Sequence, residues 1–155
     1  MNNPGEKTPE RRRELKCLVF PAGELQAYKY VVVCSRSNGQ WLLSRHRQRA
    51  TWETQGGHIE PGETPVQAAR RELYEESGVD DAALYPVCDY VGYDAQSQAN
   101  GMVFLADIRH LCALPESEMK EIRLFDHLPA ELTYPEVTPV LCRQAEVLLR
   151  QHGID

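Results

Sequence analysis

The chain has 155 residues, of which 42% are hydrophobic and 26% are charged, and its formal net charge is −6 at pH 7. This length matches one ordinary globular domain, and no apolar run is long enough to span a membrane. The negative charge argues against nucleic acid as the main partner, because an acidic protein repels a polyanion. A phosphate-bearing substrate would therefore need local positive charge or a bound cation.

The N-terminal residues and the cysteines predict the extent of the domain and the cellular compartment. Residues 1–14 are polar and lack the apolar core of a secretory signal, so we expect a flexible N-terminal tail and one domain over residues 15–155. The five cysteines are scattered singly: Cys17, Cys34, Cys88, Cys112 and Cys142. They form no CxxC pair, so the sequence gives no sign of a zinc or redox site. Such cysteines are typical of buried free thiols in a reducing compartment, which predicts a cytoplasmic location.

The first half of the chain predicts strands followed by a helix. Short apolar, β-branched runs indicate strands over residues 17–21, 28–34 and 41–45, and Asn38-Gly39 predicts a hairpin between the last two. The segment from residue 56 is rich in glycine and proline and is predicted to be a loop. A helix is expected over residues 65–77, with Thr64 as its N-cap and Gly78 as its C-terminal cap.

The second half predicts three more strands and a second helix. The strands are expected over residues 84–93, 102–108 and 122–125. Apolar residues at helical spacing predict a packing helix over residues 135–153, where Gly153 ends it. Most connections join antiparallel neighbours, which favours an α+β fold over a doubly wound sheet.

The predicted first helix carries an acidic stripe made of Glu72, Glu75 and Glu76. Like charges at these spacings destabilise a helix by about 0.2–0.5 kcal/mol per pair, and the C-terminal half of a helix disfavours anions. A solvated acidic face is one interpretation. A divalent cation is the other, because it turns the repulsion into ligation, and oxygen ligands favour Mg²⁺ or Mn²⁺ over zinc.

The spacing of the whole segment decides between these interpretations. Residues 57–79 resemble the Nudix box, and every position that the box specifies is present: Gly57, Glu63, Arg71-Glu72-Leu73, Glu75-Glu76 and Gly78-Val79. The resemblance to this MutT-like hydrolase family implies an α/β/α sandwich with a curved mixed β-sheet. It also implies a loop–helix–loop catalytic box and hydrolysis of a diphosphate linkage.

The same resemblance implies roles for individual residues. The expected metal ligands are the Gly57 carbonyl oxygen, Glu72, Glu75 and Glu76, with Glu63 acting through water and Glu118 contributing from outside the box. The expected catalytic residues are Glu72, Arg71 and Glu76. Glu72 is either a ligand or the general base, and Arg71 orients it through a charge-assisted hydrogen bond. Glu118 belongs to the acidic segment 115–121, which also offers Glu116 and Glu121 and is otherwise a solvated loop.

Substrate contacts are expected from the basic run before the box and from nearby aromatic residues. Arg45 and Arg47 are candidates for holding phosphates, and their alternative role is to guard an edge strand. Trp52 and Tyr93 are candidates for stacking a base, although most aromatic residues lie in cores.

The choice of substrate rests on residues downstream of the box. Asp94 stands where ADP-ribose hydrolases of the family carry proline, and residues 95–98 lack the tyrosine typical of dinucleoside polyphosphate hydrolases. A canonical or modified nucleoside triphosphate, cleaved to monophosphate and pyrophosphate, is therefore the expected substrate. ADP-sugars and dinucleoside polyphosphates remain alternatives.

Two further alternatives are a non-catalytic nucleotide sensor and an isoprenoid diphosphate isomerase, which residues 52–58 resemble. An isomerase needs an additional cysteine, and none stands beside the box. The expected partner is a small nucleotide, with neither nucleic acid nor membrane, and a homodimer is left open.

Overall fold

The structure is a computed structural model, and it describes residues 16–154. The predicted tail at residues 1–14 lies outside the described residues. Within that range the chain forms eight strands and two helices. They are β1 (Lys16–Phe20), β2 (Tyr30–Ser37), β3 (Gln40–His46), β4 (Trp52–Glu53), β5 (Gln55–His58), α1 (Pro65–Ser77), β6 (Val79–Tyr93), β7 (Gln98–Leu111), β8 (Met119–Phe125) and α2 (Thr138–His152). No described helix is long and apolar enough to cross a membrane.

The strands form one mixed sheet in the order β1-β6-β7-β2-β3-β4, and β8 pairs with β3. The pairing of β2 with β7 is parallel, and the other strand pairs in this part of the chain are antiparallel. Strand β2 pairs with two different strands along its antiparallel edge. Its first half, residues 30–33, pairs with β5, and its second half, residues 35–37, pairs with β3. The sheet therefore forks at β2.

Local signals fix the β2–β3 hairpin and helix α1 where the sequence predicts them. Asn38 and Gly39 have φ angles of 48° and 79°, as the tight turn of a two-residue hairpin requires. Helix α1 begins in a capping box, because Thr64 Oγ1 accepts the Gln67 N–H and Gln67 Oε1 accepts the Thr64 N–H. It ends at Gly78, whose φ is 85° and whose N–H donates to the Tyr74 carbonyl.

The prediction that residue 56 begins a loop is wrong, because residues 55–58 form β5 and pair with β2. A side chain at Gly56 would clash with the carbonyl oxygen of Val31, so the close approach of these strands requires glycine there. Strand β4 was also not predicted. Helix α2 begins at Thr138, later than expected, where Pro139 occupies its first turn.

The two helices cover opposite faces of the sheet, which confirms the predicted α+β class and the α/β/α sandwich. Leu73 of α1 packs in one cluster with Val33 and Phe104, while Leu141 of α2 packs in the other with Leu105. Phe104 and Leu105 are neighbours on β7, and successive residues of a strand point to opposite faces. The sheet thus holds α1 firmly against the strands from which the candidate site is built.

Candidate active site

Helix α1 presents two glutamates to the glycines of β5. Glu76 Oε1 accepts the N–H of Gly56 at 2.7 Å. The carboxylate of Glu72 lies against Gly57, so that a Cβ added at Gly57 would stand 2.5 Å from Glu72 Oε1. The pairing of β5 with β2 therefore aligns two backbone units with the acidic face of α1. This places the expected ligands Gly57, Glu72 and Glu76 together.

Arg71 holds the carboxylates at the outer edge of the box. It donates to Glu72 Oε1 at 2.8 Å, which is the orienting bond expected from the sequence. It also donates from Nε and Nη2 to the two oxygens of Glu63, both at 2.8 Å. This bidentate pair lowers the pKa of Glu63 to about 2. Glu63 Oε1 also accepts the Glu60 N–H at 2.9 Å, and the expected water-mediated metal contact of Glu63 stays a prediction.

Glu75 lies further from the glycines than its two neighbours. Its side chain is 49% exposed and forms an ion pair with Arg71 at 3.4 Å. All three glutamates belong to one stripe of the helix, and Glu75 lies at its solvent-exposed edge, where Arg71 pairs with it. Its side chain would have to swing inward to join them.

Glu76 lies in the most negative surroundings of the site. Burial and the charges of Glu72, Glu53 and Glu118 raise the pKa of Glu76 to about 8. Burial also raises the pKa of Glu72 and of Glu53. Such crowded carboxylates favour a bound cation, which would lower all three pKa values.

Glu53 is a site residue that the sequence analysis missed. It is 6% exposed, and its carboxylate accepts a hydrogen bond from Arg49 at 3.2 Å. It reaches the site because β4 pairs with β3, which places Glu53 opposite Ser44. A two-residue strand leaves no periodic pattern to recognise. An acidic residue just before the paired glycines was the available signal.

Glu118 approaches Glu76 from the segment before β8, as expected for a ligand outside the box. The N–H of Arg47 donates to the Glu118 carbonyl at 2.9 Å, and the Glu118 carboxylate lies 3.7 Å from His46 Nε2. Its side chain is 85% exposed and free to turn. Glu121 is held elsewhere, because it accepts a 2.6 Å hydrogen bond from Arg45.

A cavity of about 500 Å³ opens beside these carboxylates. Its acidic end contains Glu53, Glu76 and Glu118. The rings of Tyr30 and Tyr90, whose centroids are 5.1 Å apart, and that of Tyr134 belong to its wall. The cavity therefore combines an anionic end with an aromatic wall, and its volume lies in the range of small-molecule sites.

The predicted phosphate-binding arginines lie outside this cavity. Arg45 is held by Glu121 and by the Arg49 carbonyl, and Arg47 donates to the Ser117 carbonyl at 2.9 Å. Arg45 therefore joins β3 to β8, and Arg47 joins the residue after β3 to the segment before β8. From the same basic run, His46 and Arg49 do line the cavity, and Lys29 and His58 are its other basic lining residues.

The two predicted aromatic contacts also lie elsewhere. Trp52 is 7% exposed and packs edge-to-face on Phe125, with centroids 5.1 Å apart, so its ring is part of the core. Tyr93 pairs with Gln98 at the end of β6 and does not line the cavity. Tyr30 and Tyr90 are the aromatic residues that the sheet brings to the cavity instead. Partner strands far apart in sequence decide this placement.

The comparisons with known proteins agree with this geometry. A model of the NUDIX domain matches residues 26–139. YtkD of Bacillus subtilis (strain 168), provisionally named an 8-oxo-dGTP diphosphatase, is 34% identical over 106 residues, which are 68% of this chain and 66% of YtkD. The RNA pyrophosphohydrolase of Tolumonas auensis is 45% identical over 56 residues, which are 35% of this chain and 32% of that enzyme. The chain thus spans just under two thirds of the first relative and about a third of the second.

One solved structure is similar over nearly its whole length. It is the crystal structure of the Bacillus subtilis pyrophosphohydrolase BsRppH, with a TM-score of 0.77 and 26% sequence identity. The match covers 91% of this chain and 93% of that one. The similarity therefore includes both helices and the sheet that carries the site.

Proposed function

The chain belongs to the NUDIX domain family, and from this premise we propose that it is a divalent-cation-dependent hydrolase that cleaves a diphosphate linkage in a nucleoside diphosphate derivative. The proposed substrate is a canonical or modified nucleoside triphosphate, released as monophosphate and pyrophosphate. The observation that supports the proposal is the position of the Glu76 carboxylate beside the cavity. It accepts a hydrogen bond from the Gly56 N–H and is surrounded by the negative charges of Glu72, Glu53 and Glu118.

The donor set of this site fits a hard divalent cation. The groups that converge are carboxylates, and the resemblance implies the Gly57 carbonyl as a further oxygen ligand. All-oxygen sites suit Mg²⁺ or Mn²⁺. The raised pKa of Glu76 indicates that the charges around it are uncompensated. Glu76, Glu72 and Gly57 would hold the cation, with Glu75, Glu53 and Glu118 within reach of a second position. When bound, the cation supplies charge neutralisation for phosphate oxygens and a lower pKa for water.

The residues around the cation orient the groups and accept the proton. Arg71 orients Glu72 by the 2.8 Å hydrogen bond to Oε1, which is also the Glu72 oxygen nearest to Gly57. Glu72 is the general base if it does not hold the cation. Otherwise Glu53, a buried carboxylate that lines the cavity, accepts the proton of the attacking water. Arg49, beside Glu53, is placed to contact a phosphate oxygen.

The aromatic wall supports a nucleotide as the substrate. Tyr30, Tyr90 and Tyr134 line the cavity, and Tyr134 is 42% exposed, so its ring is free to stack on a base. The cavity volume of about 500 Å³ is in the range that accommodates a nucleotide. The Tyr134→Ala variant should raise KM for the nucleotide, with kcat almost unchanged.

A second candidate substrate is the 5′-triphosphate end of RNA. It is supported by the likeness to BsRppH over 93% of that chain and by the similarity to RNA pyrophosphohydrolases. The net charge of −6 favours the free nucleotide, since the described surface would repel a long phosphate backbone.

One assay tests the proposal and separates these substrates. Purified protein is incubated with Mg²⁺ and a panel of canonical and 8-oxo nucleoside triphosphates, ADP-ribose, dinucleoside polyphosphates, isopentenyl diphosphate and a 5′-triphosphorylated oligoribonucleotide. We expect pyrophosphate release that disappears in Glu76→Gln and persists in the control Glu146→Gln, a residue of α2 outside the cavity. Full activity in Glu76→Gln would refute the site, and binding without turnover would favour a sensor.

A further inference from the structure

A second group of ligating side chains lies outside the cavity, where α1 passes into β6. Asp80 Oδ1 lies 2.6 Å from His110 Nδ1, and Cys112 Sγ lies 3.1 Å from Asp80 Oδ2 and 3.9 Å from His110 Nδ1. One potential ligand atom from each residue falls within 4.8 Å of the others. None of the three residues lines the cavity of the candidate active site.

The sheet brings these three side chains together. His110 and Cys112 are two residues apart on an extended segment, so their side chains leave the same face. Asp80 lies opposite them in a bulge, because β6 pairs Val79 with Leu111 and Asp81 with His110 and leaves Asp80 between. A bulge of this kind redirects a side chain.

The backbone of the cluster is also fixed. The N–H of Cys112 donates to the Gly78 carbonyl at 2.8 Å, at the C-terminal cap of α1. A Cβ at Gly78 would stand 2.7 Å from the Cys112 carbonyl oxygen, so the two segments approach closely. The ligand atoms are therefore held by paired strands and a helix cap rather than by a free loop.

We propose that Asp80, His110 and Cys112 form a metal-binding site for a tetrahedral ion of the Zn²⁺ type, with its fourth position open to water. A thiolate, an imidazole and a carboxylate are a mixed soft and borderline donor set, which suits Zn²⁺ and not the Mg²⁺ expected at the all-oxygen site. The absence of a CxxC pair hid this site in the sequence, since its ligands come from β6, from β7 and from the residue that follows β7.

The distances agree with this coordination after small side-chain shifts. Tetrahedral zinc with its usual bond lengths places a sulfur, a nitrogen and an oxygen ligand about 3.3–3.6 Å apart. The three separations here range from 2.6 to 3.9 Å. The side chains of His110 and Asp80 are 63% and 40% exposed, so they are free to make these shifts and an ion can reach them.

The local electrostatics also favour a cation. The last turn of α1 contains no basic residue, so the negative end of its dipole is not compensated by a helix side chain. The Asp80 carboxylate lies four residues beyond Glu76, close to that end. A bound ion would tie the start of β6 to the end of β7, next to the C-terminus of the helix that carries the glutamates.

Co²⁺ titration of the reduced, chelator-treated protein tests the proposal, because a cobalt–thiolate bond gives a charge-transfer absorption and tetrahedral cobalt gives strong visible bands. We expect one equivalent of Co²⁺ to produce both and Zn²⁺ to remove them. Cys112→Ser should abolish the charge-transfer band, and His110→Gln should weaken binding at least about tenfold. The matched control is Cys17→Ser, which changes another partly exposed thiol.

Glu76→Gln separates this site from the candidate active site, since it should retain the cobalt bands while losing hydrolysis. Zn²⁺ should raise the Tm of the wild-type protein and leave the Tm of Cys112→Ser unchanged. The proposal is overturned if no thiolate band forms, if the band survives in Cys112→Ser, or if it disappears in Glu76→Gln. If Cys112→Ser does not fold, His110→Gln and Asp80→Asn decide, and unchanged cobalt affinity in both would overturn it.

Discussion

Replacing Glu76 with glutamine should stabilise the metal-free protein at alkaline pH. The carboxylate is buried among other carboxylates, which raises its pKa from 4.5 to about 8. At about 1.4 kcal/mol per pH unit, this shift has an upper limit of about 5 kcal/mol. Relaxation and water entry reduce such penalties, so we expect a gain of about 2 kcal/mol. Glutamine can still accept the hydrogen bond from Gly56, because it keeps one side-chain oxygen.

The pH dependence follows from the direction of the shift. The folded protein holds the Glu76 proton more tightly than the unfolded chain does, so wild-type stability falls as pH rises from about 4.5 to about 8. Glu76→Gln lacks this decrease. The two stability curves should approach each other toward pH 5 and be furthest apart above pH 8. Mg²⁺ should reverse the order, because a cation at 100 times its Kd stabilises the wild type by about 2.7 kcal/mol.

Urea unfolding followed by tryptophan fluorescence, in EDTA and then in Mg²⁺, measures these differences between pH 5 and 9. Glu75→Gln is the matched control, since it makes the same chemical change at an exposed carboxylate one residue away. The reasoning is refuted if Glu76→Gln is less stable than the wild type at pH 9 in EDTA. An equal, pH-dependent gain in Glu75→Gln would also refute it, because burial would then not be the cause.

The other predictions concern an orienting hydrogen bond, a close backbone approach and a side chain packed in the core. Arg71→Ala should lower kcat/KM about 10–100-fold, because Glu72 loses its orienting hydrogen bond, and unchanged kinetics would contradict that role. Gly57→Ala should lose most activity and remain folded by circular dichroism, since the new methyl group displaces a movable Glu72 carboxylate; full activity would show that the contact is unimportant. Trp52→Ala should cost about 3–5 kcal/mol in urea unfolding with KM unchanged, whereas a raised KM in a stable variant would restore its predicted substrate contact.

Several features followed from the sequence because their causes lie within a few residues. Thr64 caps the helix, Asn38-Gly39 forms the hairpin turn, and Gly78 ends the helix where expected. Each depends on local backbone preference and short hydrogen bonds, which neighbouring residues determine. The motif from Gly57 to Val79 was also readable from the sequence, because all its residues lie within one helix and the segments that flank it.

The tertiary structure decided which residues share the site. Strand β5 exists only because β2 pairs with it, and Glu53 joins Glu76 only because β4 pairs with β3. The pairing of β4 with β3 also carries the buried Trp52, whereas the pairing of β7 with β2 and with β6 brings Tyr30 and Tyr90 to the cavity wall. The position of these side chains depends on strand register between residues far apart in sequence, and a shift of one residue would turn each to the opposite face. The acidic stripe on α1 was therefore predictable from the sequence, whereas the residues that surround it, such as Glu53, Tyr30 and Tyr90, are positioned by strand pairing in the sheet.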